Sequence, residues 1–415
     1  MIKKHNSIVL KLANRLKKHK LIYILLKRMY YYVCYIFLIS KNNRYDIKEN
    51  ITLQSVANID GNYFFGYHHN TPWSYDDRFI LINSIIDSKN LQINLIDLYT
   101  SEIREIDQTT LWNFQQGPML GWFPGKHTIY YNKFVNNSYK TILYDIINDN
   151  QKIFNLPIQA IHPTGDYYLS INYQNMSIIN KDYGYNEKCS FFSKQDMVGI
   201  WKCSFNDDIC PELIISLDDV RISMDSSKDE LNHCLFSDNG NYFLFIYRYK
   251  KNRVSYSKLI LANTKLDSSM IEINKDFVSH MCWIDDQNIF YFGDTKNDNE
   301  SRGYYIYNII NSNSKKVMSS NDNDGHPSIN KTKEWIILDT YPDRQCNCHL
   351  YLYNIISEEV INIGKFRTNV KHQGYYRCDL HPRWNNKGNQ IMVDTLYRNK
   401  RSSFILDLEK IINGK

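Results

Sequence analysis

Four histidines in the second half of the chain open the same kind of phrase. They are "HCLFSDNGNYFLFIYR" at His233, "HMCWIDDQNIFYFGDT" at His280, "HPSINKTKEWIILDT" at His326 and "HPRWNNKGNQIMVDT" at His381. An apolar anchor follows each histidine by three residues, then a turn, then an apolar run. Three of the runs end in Asp-Thr, at Asp294, Asp339 and Asp394. Neutral imidazole suits divalent transition metals and can also serve as a general base. The stretch "RCDLHPRW" adds Arg377 and Asp379 beside His381, and neither residue has a counterpart in the other copies. Taken singly, each histidine is explained by hydrogen bonds that hold a repeat to its neighbour. The Asp-Thr pairs are explained as strand-end turns whose carboxylates accept backbone N–H groups. Four imidazoles converging on one axis would be something more.

Whether they converge depends on the elements that carry them. Weaker copies of the phrase surround Trp73 ("NTPWSYDDRFILIN") and Trp122 ("GPMLGWFPGKHTIYYN"), and "AIHPTGDYYLSIN" is another. The seven units are about 37 to 75 residues apart, a period typical of propeller blades with insertions. Each continues into a second strand pair, as in "HLYLYNIISEEVINI". The 33 tyrosines and 19 phenylalanines also favour strands. A four-stranded unit cannot bury both faces alone, whereas seven around an axis can, and closure removes long edges. The expected fold is all-β: a seven-bladed β-propeller over residues 49–415, preceded by a basic helical arm at 1–48. "NITLQSVAN" at 50–58 is the expected closing strand.

In such a ring the inner strand lines the channel and the second strand returns to the same face. His233, His280, His326 and His381 should therefore share one mouth, with Arg248, Lys296, Asp343, Arg344 and Arg398 on the loops around it. His162 aligns with the turn residue Ser237 and is set aside. In blades one and two the channel position falls on Asn70 and Met119, with Gln116 three residues before the latter. Tyr341, Tyr375, Tyr376, Tyr397 and Trp73 supply aromatic faces for a sugar. The gap at 175–197 is long enough to be functional or unstructured.

The repeat resembles TolB-type propellers over about residues 50–412. The histidine set is similar to that of the oligogalacturonate lyase family. That resemblance implies a divalent metal such as manganese at the channel mouth, bound to a uronate carboxylate, with a separate base removing the acidified proton. Carried over, it implies His326 and His381 as ligands with Gln116 as an amide ligand. His233 or His280 becomes the base, and Arg248 or Arg377 neutralises the substrate. From their expected places around the mouth, Asp379, Arg344, Arg398, Trp73 and Tyr341 are the candidate substrate contacts. The family's close histidine pair is missing, since Asp379 and His381 stand in "RCDLHPRW". Together with "GYHHNTPW" and "WNFQQG", that stretch also looks like a bacterial propeller group met beside surface-polysaccharide genes. This implies glycan or glycolipid chemistry, with polysaccharide-assembly proteins as partners.

Charge narrows the alternatives. Residues 1–45 hold eleven Lys/Arg and no Asp/Glu, and the remainder carries 39 basic and 44 acidic residues. Nothing past the arm suggests nucleic acid. A basic segment interleaved with "LIYILL" and "MYYYVCYIFLI" reads as a helix lying on an anionic membrane surface, because its last apolar run is too short to span. Nine scattered cysteines suit a reducing compartment, so the expected location is cytoplasmic and peripheral at the inner membrane. There is no Gly-rich phosphate loop, G-x-S-x-G or H-E-x-x-H. Two readings follow: a metal-assisted, lyase-like enzyme acting on acidic glycans in bacterial surface-polysaccharide metabolism, or a non-catalytic membrane-associated propeller that binds a glycan or an assembly partner.

Overall fold

The computed structural model describes residues 45–57, 61–189, 191, 198–206, 208–221, 229–252, 254–265, 270–296, 302–318, 323–369, 372–397 and 399–414, besides Leu26, Met29 and Val33. The expected membrane-binding arm lies outside the described residues apart from those three positions and residues 45–48. Among the described residues no helix is long and apolar enough to cross a membrane.

Seven antiparallel sheets form a seven-bladed β-propeller. The blades span 63–109, 121–155, 160–216, 230–272, 278–317, 327–367 and 383–407. Each runs from its inner strand outward in chain order. Thr52–Ser55 pairs with Lys400–Asp407 as the outer strand of blade seven and closes the ring. Tyr45–Ile47 adds a fifth strand to blade six, so the propeller extends into the segment assigned to the arm.

The middle strands are apolar on both faces because each blade is covered on both sides. In blade four, Leu244, Ile246, Leu259 and Leu261 pack against Met281, Trp283 and Tyr291 of blade five. The alternate residues Phe243, Phe245 and Tyr247 join the cluster shared with blade three. A period of two thus divides one strand between two neighbours. Each fully buried side chain of this size contributes about 1.5–3 kcal/mol.

The anchor tryptophans tie blades together. Trp122 Nε1 donates to Pro72 O (2.9 Å), Trp283 Nε1 to Leu235 O (3.2 Å) and Trp384 Nε1 to Ser328 O (3.0 Å), each on the preceding blade or its inner segment. Trp73 occupies the same place in blade one. It is 1% exposed and sits in the core with Ile80 and Leu81. This corrects its assignment as a sugar platform, since the anchor position faces the neighbouring blade.

Candidate functional site

The repeat histidines reach the axis through irregular strands. In blade four Asn232 faces Ile246 and Leu235 faces Leu244, so His233 and Cys234 together oppose Phe245. In blade five Ser279 and His280 together oppose Phe292. One extra residue makes a β-bulge, which bends the strand and redirects a side chain. His233 and His381 have φ of 55° and 44°, and Met119 of blade two has 57° at the matching position.

Blade one is built differently. Phe64 pairs with Asn83 and Trp73 with Ile80, so residues 65–72 lie opposite only residues 81–82. This excursion turns at Gly66 (φ 114°), where a Cβ would lie 2.7 Å from the Gln116 carbonyl carbon. Blade seven pins it. Asp394 accepts from Phe65 N (3.1 Å) and Gly66 N (3.2 Å), and Arg383 donates to Tyr67 O (3.3 Å) and to Asp394 (3.0 Å). The excursion carries His68 and His69 into the channel, whereas Asn70, the expected channel residue, caps Leu120 O (3.0 Å). The two extra histidines of "GYHHNTPW" were the available signal.

His280, His326 and His381 stand side by side, with ring centroids 4.1 Å and 4.2 Å apart in succession. His68 lies 5.1 Å from His326, 5.6 Å from His381 and 5.9 Å from His280. His233 is one step away, 6.4 Å from His280. All five are buried. Tyr341 closes the side of the group, 5.6 Å from His326 and 6.1 Å from His280.

Acceptor-only partners fix the ring protons. Nδ1 of His326 donates to Asp339 (2.9 Å), Nδ1 of His280 to Asp324 (3.2 Å) and Nδ1 of His381 to Gly66 O (2.8 Å). In the neutral rings the Nε2 lone pairs are then free. His69 Nε2 donates to Met281 O (2.8 Å), so its Nδ1 accepts from Tyr67 Oη (2.9 Å). Tyr67 in turn accepts from His233 Nδ1 (3.2 Å), leaving His233 Nε2 as a lone pair that has no protein partner.

Burial holds His68, His233 and His381 well below the ordinary histidine range, and the neighbouring histidines push the same way, with Arg248 added at His233 and Arg383 and Arg377 at His381. His280 is also lowered by burial, partly offset by Asp324. His326 is the exception. Burial opposes its charged form, but the Asp339 carboxylate lifts it above the ordinary value.

Donor atoms of His326, Asp379 and His381 all lie within 4.8 Å of one another. A shell with ligands about 2.1 Å from an ion has edges of roughly 3–4 Å, so a modest inward movement would close it. Both nitrogens of His68, Oδ1 of Asp379 and both amide atoms of Gln116 are buried without a protein partner. Stranded polar atoms of this kind cost about 1–3 kcal/mol each. A mixed imidazole–carboxylate set with oriented second partners fits a divalent transition metal. Gln116 lies in the 113–117 loop against Gly66. The three-residue group of imidazole and carboxylate donors contains Asp379, expected to contact substrate.

Among the other expected residues, Arg377 Nε donates to Asp379 (2.6 Å) and its Nη1 pairs with Asp182. Arg248 pairs with Asn232 and lies 3.6 Å from Glu230. Arg344 is exposed on the Asp343–Cys346 turn, and Arg398 lies outside the described residues. Asp294, Asp339 and Asp394 all accept backbone N–H groups, as strand-end carboxylates should. His162 sits at its turn, donating from its backbone N to Tyr167 O.

The described residues of the 175–197 gap include a segment that lies over this mouth. Helix Tyr173–Ile179 leads into a loop that sets the Tyr183 ring 4.9 Å from His233. From the opposite face, a cavity of about 610 Å³ runs up to His68 and His69.

No family model matches the sequence, and no curated protein does. Solved structures do. An oligogalacturonate lyase from Vibrio parahaemolyticus superposes at TM-score 0.64 with 13% identity, covering 89% of this chain and 97% of that one. An oligogalacturonate lyase in complex with manganese gives 0.67, 12% identity and the same two coverages. The tricorn protease gives 0.52 and 9%, covering 88% of this chain and 34% of that one. At such identities the likeness establishes the propeller fold.

Proposed function

We propose that the protein is a metal-assisted enzyme acting on acidic glycans by β-elimination. The observation that carries this reading is the buried group of His326, Asp379 and His381 with the unpartnered His68 beside it. A lyase of the same fold is known in complex with manganese, which supports the choice of metal class. A divalent ion bound there would supply Lewis acidity to a sugar carboxylate, making the adjacent C–H more acidic.

The chain's own groups divide the remaining work. His280 is the better base of the two candidates. Its Nε2 lone pair lies beside the ligand group, and Asp324 on Nδ1 would stabilise the imidazolium formed. An imidazolium at His233 would face Arg248 with only Tyr67 on its ring. As the proton leaves for His280, the C–O bond to the departing sugar breaks, a C=C bond forms and the departing oxygen takes up a proton. Arg248 offers charge to the substrate. Tyr341, kept in its neutral phenol form by burial, gives a ring wall.

The test is to incubate manganese-loaded protein with oligogalacturonides and follow the ultraviolet absorbance of an unsaturated product. Wild type should form it and His280→Ala should not, while still holding metal. Protein that binds no metal, or binds it and forms no unsaturated product from any acidic oligosaccharide, would sink the reading. The surface-polysaccharide setting and a membrane-bound arm remain part of the proposal on sequence grounds, and vesicles containing anionic lipid, with and without residues 1–44, test the arm.

A further inference from the structure

Arg377 is held by two carboxylates at the mouth. Nε meets Oδ2 of Asp379, whose side chain is 1% exposed and whose Oδ1 is buried without a protein partner. Nη1 meets Asp182, which comes from the blade-three insertion on the far side of the channel and is 26% exposed. One carboxylate is therefore fixed and the other is reachable. Arg248 offers a contrast, because its carboxylate neighbour Glu230 is 2% exposed and cannot be exchanged in this way.

We propose that the Nη1 edge of Arg377 is a carboxylate-binding position, and that Asp182 occupies it until an acidic ligand displaces it. The inference rests on the acidic-glycan reading above and adds a residue that sets its specificity. Arginine binds carboxylates through a planar fork of donors, so one carboxylate can replace another without rebuilding the site. The insertion's root is pinned. Tyr173 stacks on Tyr185 at 4.4 Å, Asn132 donates to Tyr185 Oη (2.9 Å), and Cys189 N donates to Gln174 Oε1 (2.6 Å). Exchange therefore moves one side chain while the loop stays in place. Tyr341 lies along the same guanidinium, 5.9 Å from its ring centroid, so an arriving sugar acid finds its ring wall beside its charge partner. An internal competitor weakens every ligand at this position. A neutral sugar offers nothing in exchange for the lost ion pair, and a uronate does.

The experiment titrates full-length, manganese-loaded wild type and Asp182→Asn with galacturonate and with its methyl ester, by calorimetry. The variant should bind galacturonate about tenfold more tightly, with the ester unchanged. Unchanged or weaker galacturonate binding in a folded variant overturns the proposal, as does an equal gain for the ester or no binding by either protein. If Asp182→Asn does not fold, wild type decides. Galacturonate should shield Arg377 from phenylglyoxal, mapped by mass spectrometry, and failure to shield it overturns the proposal. Wild type that forms unsaturated product while Asp182→Asn gains no affinity would remove this inference and leave the enzymatic reading standing.

Discussion

Blades four and five bring a histidine to the axis with a single extra residue, whereas blade one uses an eight-residue excursion opposite two. The difference lies in what holds the irregularity. A bulge is fixed by the strand pairs on either side of it. The excursion has no such ladder and takes its shape from blade seven, through Asp394, Arg383 and His381. A repeat can therefore specify a histidine by itself, while His68 is specified by a contact 313 residues away in the chain, between residues 68 and 381.

The largest effect should come from removing that external support. Asp394→Ala leaves Arg383 buried without its partner, and breaking such a pair costs about 3–5 kcal/mol. Thermal unfolding should show a large loss. A comparable cut in a bulged blade, Asn232→Ala, should cost far less. If the two match, blade one is no more dependent on its neighbour than blade four.

Metal content gives the next contrast. His326→Ala/His381→Ala should lose bound manganese altogether, measured by elemental analysis on folded protein. Asp339→Ala, which removes the oriented partner of His326 and the acceptor of His381 N (3.0 Å), should weaken binding by about 10–100-fold. His68→Ala should weaken it by a similar factor while Asn70→Ala does not, which would place blade one's contribution in the excursion.

Acid should separate the two kinds of histidine. His68, His69, His233, His280 and His381 are kept neutral in the fold by burial. Below about pH 6.5 the unfolded chain takes up protons that these sites refuse, so their share of stability is lost as pH falls. His326 is raised by Asp339, so its share is full below about pH 6.5 and lost as pH rises through its folded value. Five against one predicts that stability falls toward acid by more than about 1.4 kcal/mol per pH unit just below pH 6. Urea unfolding of metal-free protein at several pH values measures the slope, and a flat profile would contradict it.

The smallest contrast is between tryptophans. Trp384→Phe loses a hydrogen bond to Ser328 O, and Trp73 Nε1 has no partner to lose. Trp384→Phe should be the more destabilising by about 1 kcal/mol.

The blades, their strand order and the closing strand at Thr52–Ser55 were legible because a period-two apolar pattern and a recurring turn encode them locally. The histidines at 280, 326 and 381 were legible for the same reason. His68 was hidden because alignment on the tryptophan anchor counts back through a regular strand, and residues 65–72 do not form one. Asp379 stands out in the sequence because the other copies lack it, but nothing in "RCDLHPRW" says that its Oδ1 is left without a partner. Trp73 was misread because an anchor that faces the neighbouring blade has the same one-letter code as one that faces a sugar. Asp182 gave no signal at all, because its partner is 195 residues away.

The seam between Thr52–Ser55 and Lys400–Asp407 also sets the order of events during synthesis. A ribosome must deliver the strand at 400–407 before the one at 52–55 has anything to pair with. Before residues 381–394 are made, the loop carrying His68 lacks the carboxylate and guanidinium that shape it, and His381 does not yet exist. At that stage the nascent chain carries six blades and an unfinished candidate metal group. Capture of an ion would report that the circle has been completed, and chelator-resistant metal could time ring closure in a translation reaction.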